Sequence, residues 1–250
     1  MVYEDREPSM SSALRGEASP SRHEVWKMFD RIAPHYDVLN RSLSLRRDVA
    51  WRKNMARYLP EGENLELLDL ATGTADQILF LMKSTNRIKR AVGMDLSEGM
   101  LAKGEEKVKA SAWKGKIDLK LGNTMEIPAE DQSCDVVTIS FGIRNVGDVN
   151  KGLTEMHRVL RPGGRALVLE CSIPTNALVR GVYLFYFRHV LPLVGGVVSG
   201  DIKAYKYLNK TVETFPSGRD FAARMETAGF SNVRVCPQTL GVATIYVGEQ

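Results

Sequence analysis

The sequence predicts an α/β protein built on a mostly parallel, doubly wound sheet. Three observations carry this. Short apolar runs recur at 65–70, 91–94, 117–121, 135–140 and 166–170. Segments with helical spacing of apolar residues separate most of them, so strand and helix alternate. The chain then closes on two short runs, 233–235 and 243–247, placed to pair antiparallel.

Composition sets the bounds. With 250 residues, 44% apolar and 26% charged, the chain is long enough for a sizeable core and ordinary for a soluble protein. A net charge of +4, evenly spread, argues against nucleic acid as a partner. Cys134, Cys171 and Cys236 are far apart and lack metal-ligand spacing. They read as small buried hydrophobes in a reducing, cytoplasmic compartment, and no metal is expected. Residues 1–22 are polar, without the apolar core of a secretory signal, and read as a mobile tail. Residues 23–250 are expected to form one domain.

Taken in order, residues 24–40 place Val25, Met28, Phe29 and Ile32 on one helical face, and Pro34 breaks the pattern. Residues 43–58 are amphipathic and strongly basic, with Arg46, Arg47, Arg52, Lys53 and Arg57 around Leu45, Val49, Trp51 and Met55. A solvated basic helix is the commonest meaning of such a run. A cap over a cleft, or a contact with an anionic surface, are the alternatives.

Residues 65–76, LELLDLATGTAD, run from strand through a small-residue loop towards the apolar helix of Ile78, Leu79, Phe80, Leu81 and Met82. Gly73 lets the backbone approach a ligand, and Asp69 and Asp76 put carboxylates at the strand's lip. Ligands of open parallel sheets bind beyond the carboxyl ends of the strands. An ordinary strand-to-helix turn would read the same way. The next strand, 91–94, ends at Asp95. Ser97 then caps a helix through Met100, Leu101 and Val108. Asp95 falls roughly 20–25 residues past the glycine turn, where an acid can accept both ribose hydroxyls of a nucleoside; a second cap is its other reading.

The third strand, 117–121, ends at Gly122, Asn123 and Thr124, and the fourth, 135–140, at the stretch from Ser140 to Asn145. Residues 153–160 read as helix, 161–164 (RPGG) as a tight turn, and 166–170 as the fifth strand. Residues 177–200 are the most apolar stretch. Arg180, Arg188, His189, Pro192 and a Gly pair make them a poor membrane span. Tyr183, Phe185, Tyr186 and Phe187 fit a lid or apolar tunnel, and equally fit core packing. Residues 173–216 are expected to be a helical lid or substrate insertion, and 220–228 a helix ending at Gly229.

Four loops thus converge: 69–76, Asp95, Asn123 with Thr124, and 140–145. This suits a nucleoside. A dinucleotide would want a second glycine and a balancing cation by its pyrophosphate. Here Ala75 follows Thr74, the loop has no Arg or Lys, and Asp76 would repel phosphate. Acids around the loop instead suit the sulfonium and ammonium of S-adenosylmethionine.

Four blocks carry a family resemblance: FDRIAPHYDVLN at 29–40 with Ser44 and Trp51, DLATGTAD at 69–76, ISFGIRN at 139–145, and RVLRPGGRALVLE at 158–170. They resemble the class I S-adenosylmethionine-dependent methyltransferases, and more closely the quinone-biosynthesis C-methyltransferases, that is, demethylmenaquinone methyltransferase and its ubiquinone-pathway relatives. A weaker likeness continues through His189 to Pro192. Two positions depart from the family pattern: Ala75 stands where it has a second Gly, and Asp48 where it has a His.

The resemblance implies the class I methyltransferase fold with added N-terminal helices. It implies S-adenosylmethionine as cofactor, touched by Thr74, Asp95, Asn123, Thr124 and Ser140; Asp69 and Gly73 join them by the local reading of the loop. Tyr36, Arg144 and Asn145 are implied to lie near a reacting polyprenyl quinol. Arg144 would face the phenolate, with Asp148 as its structural alternative partner, Asn145 would hydrogen-bond a ring oxygen, and His189 and His35 are alternative bases. The polyprenyl tail implies a peripheral membrane contact, sought at 177–200 and 43–58. The ring, naphthoquinol or benzoquinol, stays open, as does a homodimer or a quinone-synthesis complex. Rival functions are methyl transfer to another small apolar acceptor, a Rossmann oxidoreductase, and a non-catalytic nucleoside-binding subunit.

Overall fold

The computed structural model describes residues 25–193 and 202–250, with the side chains of 35, 39, 43 and 202–206 left aside. The expected tail, 1–22, lies outside the described residues. The sheet has seven strands: β1 (Leu65–Leu70), β2 (Ile88–Asp95), β3 (Ile117–Leu121), β4 (Cys134–Ser140), β5 (Leu160–Cys171), β6 (Ser231–Gln238) and β7 (Ala243–Glu249), ordered β3-β2-β1-β4-β5-β7-β6. The first five run parallel, and β7 inserts antiparallel between β5 and β6. Reversal of strand order between β1 and β4 puts a crevice at the carboxyl end of the sheet.

Period-two alternation sorts the strands' side chains onto two buried faces. Leu70, Ile139, Val168 and Tyr246 belong to one apolar core, together with Leu153 and Phe221 from helices. Leu67, Val136, Leu169 and Ile245 belong to the other, with Ile78, Trp51 and Met55. Both clusters are mature cores, so the crevice sits on a stiff floor.

The helices are α1 (Val25–Ile32), α2 (Tyr36–Leu43), α3 (Arg47–Asn54), α4 (Asp76–Ser84), α5 (Glu98–Lys109), α6 (Val149–Val159), α7 (Ala177–Phe185), α8 (Ile202–Thr214) and α9 (Arg219–Thr227). Pro34 does end α1, inside a 3-10 turn at Ala33–His35, and the chain re-enters a helix at Tyr36. The basic stretch departs from its commonest reading at one residue. In α3 Asp48, Trp51 and Arg52 are buried, while Arg46, Arg47, Lys53 and Arg57 are exposed, so the solvated reading holds for four of the five basic residues and fails at Arg52. Residues 161–164 are no hairpin-like turn: they form a bulge within β5, where Leu160 pairs with Cys134 and Arg165 with Val136. Gly163, at φ 81°, takes the bend.

Asn176 caps α7 by accepting from the Leu178 and Val179 N–H groups. After Phe185 the helix widens into a π-turn, Tyr186–Val190, in which Phe187 is buried and stacks on Tyr183. No helix among the described residues is long and apolar enough to cross a membrane.

Candidate active site

The loop after β1 is wound tightly. Ala71, Gly73 and Ala75 all take positive φ, at 46°, 56° and 62°. A left-handed alanine costs roughly 1–2 kcal/mol. The Ala75 methyl is fully buried in the core, which returns about 0.8 kcal/mol. The departure from the glycine pattern is therefore nearly neutral for the fold. Gly142, in the loop after β4, sits so close that a Cβ there would lie 2.6 Å from that of Ala71. The two loops meet backbone to backbone.

Between them opens a cavity of about 280 Å³, lined by Gly73, Asp95, Asn123, Thr124, Ser140 and Asn145 among others. Asp95 accepts the Gly73 N–H on Oδ2 (2.8 Å) and the Ser97 N–H on Oδ1 (2.9 Å). Burial raises its carboxyl, and these N–H groups pull the other way. Asp95 thus caps the glycine loop and lines the cavity. Asn123 braces its own turn by accepting the Met125 N–H (3.0 Å). Ser140 donates to Gln77 Oε1 (2.9 Å).

Two predicted residues stand elsewhere. Asp69 is 1% exposed and both its oxygens are taken, by Thr72 Oγ1 (2.6 Å) and Thr138 Oγ1. Burial pushes its carboxyl up to about 6, against those hydroxyls. Thr74 donates to Asp37 (2.7 Å) and accepts from Lys107 (2.8 Å). Both residues line only a small polar pocket beneath the loop.

A second cavity, about 150 Å³, lies on the far side of Phe141, walled by aromatic side chains such as Phe29, Tyr183, Phe187 and Tyr207. Tyr36 and Asn145 line both cavities. Burial raises the Tyr36 hydroxyl, opposed first by Arg52, so it is neutral. Arg144 is 6% exposed and pairs not with Asp148 but with Glu170 (Nη1 to Oε1, 2.5 Å). Asp148 caps α6 instead. Burial disfavours the Arg144 charge, but Glu170 more than offsets this and raises the guanidinium overall. Its Nε stays buried without a partner, as does that of Arg52. Tyr207 donates to Asn145 Oδ1 (3.3 Å), which fixes the amide oxygen of Asn145 as the acceptor of that bond. The Cys171 thiol, pushed up to about 12 by burial, stays protonated.

Sequence reading missed Tyr207, Arg52 and Glu170. The first lies in a stretch read only as polar, the second in a charge run, and the third at a strand end. No local pattern distinguishes them. His189 is exposed against Phe185 and lines neither cavity; the His35 side chain lies outside the described residues.

The N-terminal helices are latched over both cavities by charge. Asp30 of α1 accepts from Ser97 Oγ and the Gly99 N–H. Lys107 bridges Asp37 (2.6 Å) and Asp76 (2.5 Å). Burial would raise Asp76, but Lys107, then Arg52 and Arg41, hold it below the usual carboxylate range. Asp48 pairs with Arg41, which also pairs with Asp76. The carboxylate at this departing position is thus consumed by a local cation.

The profile of the ubiE/COQ5 methyltransferase family matches residues 17–250. The chain is 47% identical over 223 residues to a ubiquinone/menaquinone biosynthesis C-methyltransferase UbiE of Geobacter sulfurreducens, covering 89% of this chain and 87% of that one. It is 40% identical over 224 residues to a demethylmenaquinone methyltransferase of Bacillus cytotoxicus, covering 90% and 94%. A SAM-dependent methyltransferase of Thermotoga maritima, a possible histamine N-methyltransferase, shares the fold at a TM-score of 0.63 and 18% identity, covering 90% and 99%.

Proposed function

The chain belongs to the ubiE/COQ5 methyltransferase family and is an S-adenosylmethionine-dependent C-methyltransferase of quinone biosynthesis; on that premise we propose that the aromatic cavity receives the quinol ring and that Tyr36, Arg144 and Asn145 handle it. The observation that carries this is the junction: the nucleoside cavity and the aromatic cavity share Phe29, Tyr36, Phe141 and Asn145 in their linings, so donor and acceptor can meet there.

The residues present fit the cofactor. Gly73 and Gly142 leave room for a nucleoside, Asp95 stands where ribose hydroxyls need an acceptor, and Asn123 and Thr124 face the far end. When bound, S-adenosylmethionine supplies an electrophilic methyl group on a positive sulfur. The chain supplies the rest. Glu170 holds the Arg144 guanidinium still, so its positive field favours loss of the phenolic proton and makes the neighbouring ring carbon nucleophilic. Arg144 stays protonated and so acts by charge, orienting a water as base. Asn145, its oxygen engaged by Tyr207, offers N–H to a ring oxygen. Tyr36 positions the ring at the junction.

We take residues 173–216 as the lid of a single domain and α7 as its membrane-facing edge. Leu178, Val182, Phe185 and Leu193 are 79%, 66%, 65% and 70% exposed and recur at helical spacing. Tyr183, Tyr186 and Phe187 line the aromatic cavity from the same segment. A polyprenyl tail leaving the cavity would meet lipid there.

The test is transfer of a labelled methyl group to demethylmenaquinol and, in parallel, to the corresponding benzoquinol. Transfer to at least one ring is expected. Arg144→Ala should cut kcat by about 100-fold, in line with loss of one charged stabilising group, with cofactor affinity unchanged. Unaltered turnover would remove Arg144 from its role. Absence of transfer to either ring, with cofactor bound, would remove the acceptor class.

A further inference from the structure

Tyr36, Asn40, Ser44 and Asp48 recur every four residues from α2 into α3, and all four line the aromatic cavity. They make a polar stripe along its wall. The corner between the two helices is strained. Leu45 and Arg46 both take left-handed φ, at 49° and 61°, and Leu45 is 76% exposed, so burial does not offset the strain.

This corner fixes where one hydrogen points. Asp48 is 2% exposed and ion-paired with Arg41 through Oδ2. An ion-paired carboxylate has no hydrogen to give. Ser44 Oγ is therefore the donor in its bond to Asp48 Oδ1 (2.8 Å). That bond uses the one hydrogen of the Ser44 hydroxyl. One lone pair of Oγ takes the Asp48 N–H (3.4 Å), and the other is left for the cavity. Ser44 and Asp48 thus present acceptors only. Arg144 and, in the role given above, the Asn145 amide nitrogen present donors to the same cavity.

A quinol ring and its oxidised quinone share a shape and differ in this polarity. Each quinol oxygen carries a hydrogen, and neither quinone oxygen does. A donor satisfies both kinds of oxygen. An acceptor satisfies only the hydroxyl; against a carbonyl it leaves two desolvated acceptors face to face, which is costly. The quinone ring carbon is not nucleophilic towards a sulfonium methyl, so a bound quinone would only occupy the site.

We propose that Ser44, held as an acceptor by Asp48, selects the reduced ring. It takes a hydrogen bond from the ring hydroxyl that Arg144 and Asn145 do not handle, and it turns the oxidised ring away. This rests on the reading of the aromatic cavity as the site of the ring. Asp48 is a positioning residue here, acting through Ser44.

Calorimetric titration of the full chain, with S-adenosylhomocysteine present, tests it. The probes are a demethylnaphthoquinone and its benzoquinone counterpart, each with one prenyl unit, either oxidised or anaerobically reduced. Wild type should bind the reduced form of the ring it takes about 30-fold tighter than the oxidised form, as expected when a hydrogen bond replaces an acceptor–acceptor contact. Asp48→Asn can place an N–H against Ser44 and release the serine hydrogen to the cavity. It should tighten the oxidised form by about fivefold, weaken the reduced form, and bring the preference below about threefold. Ser44→Ala should lower the preference by weakening the reduced form alone. Equal affinity of wild type for the two redox forms overturns the proposal. So does equal weakening of both forms by Asp48→Asn, which is what a merely structural corner would give. If wild type binds neither ring in either form, yet still binds S-adenosylhomocysteine, the reading of the cavity itself fails. Should Asp48→Asn misfold, Ser44→Ala decides, and an unchanged preference overturns the proposal.

Discussion

The cavity we assign to the nucleoside and the cavity we assign to the acceptor are built on different plans. The first has a floor of loops at the ends of four adjacent strands, β3, β2, β1 and β4, with only Val25, Trp26 and Phe29 of α1, Tyr36 of α2 and Met100 of α5 added from helices. Its carboxylate, Asp95, is satisfied by the Gly73 and Ser97 N–H groups of the loops around it. The second gathers side chains from α1, α2, α3, the π-turn, α8 and the end of β5. Its charges are the Arg52 and Arg144 guanidiniums and the Asp48 carboxylate set among aromatic rings, with Glu170 reaching Arg144 from 26 residues away. A parallel sheet delivers converging loops as a consequence of its topology. An acceptor cavity needs distant helices to pack correctly first, so its electrostatics depend on tertiary structure throughout.

The strongest way to break this contrast is at Glu170. Glu170→Gln leaves the Arg144 charge buried and unpaired, which should cost about 3–5 kcal/mol of stability in urea unfolding. Adding Arg144→Met should recover most of that stability while methyl transfer falls by about 100-fold, as for Arg144→Ala. An unchanged urea midpoint in the single variant would show that the pair does not hold the acceptor half.

Asp69 tests the floor beneath the glycine loop. Its folded carboxyl, raised to about 6 by burial, binds its proton more tightly than in the unfolded chain. Its contribution is therefore most favourable below the ordinary carboxylate range and declines as pH rises from about 4 to 6, by roughly 3 kcal/mol. Asp76 is shifted the other way, so its window lies lower. Comparing wild type with Asp69→Asn across pH 4–7 isolates this slope. Parallel stability curves would exclude it.

The smallest effect is expected at the outer face of α7. Replacing Leu178 and Phe185 together by Ser should weaken binding to anionic phospholipid vesicles by about tenfold, from the apolar area withdrawn, with cofactor affinity unaltered. Equal vesicle binding would move the membrane contact elsewhere.

Much of the fold was legible because strand runs and helix faces are short-range patterns. The run at 117–121 became β3 without adjustment, and Pro34 ended α1 as its missing N–H requires. The stretch at 161–164 misled, because a Pro-Gly-Gly sequence marks a bend without saying whether the bend ends a strand or bulges within it. Arg144 was legible as a functional residue, but its partner was not: Asp148, four residues away, is the nearer acid in sequence, and Glu170, 26 away, is the nearer in space.

By itself the sequence determined the alternating architecture, the glycine loop, an acid at the end of the second strand and the preference for a cationic cofactor, since each is a matter of local spacing or local charge. Only tertiary structure decided that Arg52 is buried in a helix that reads as solvated, that Thr74 is drawn off to Asp37 and Lys107, and that Tyr207 orients Asn145. The reason is physical. A side chain's burial and its counter-ion are properties of what packs against it, and in the acceptor half those neighbours come from distant parts of the chain.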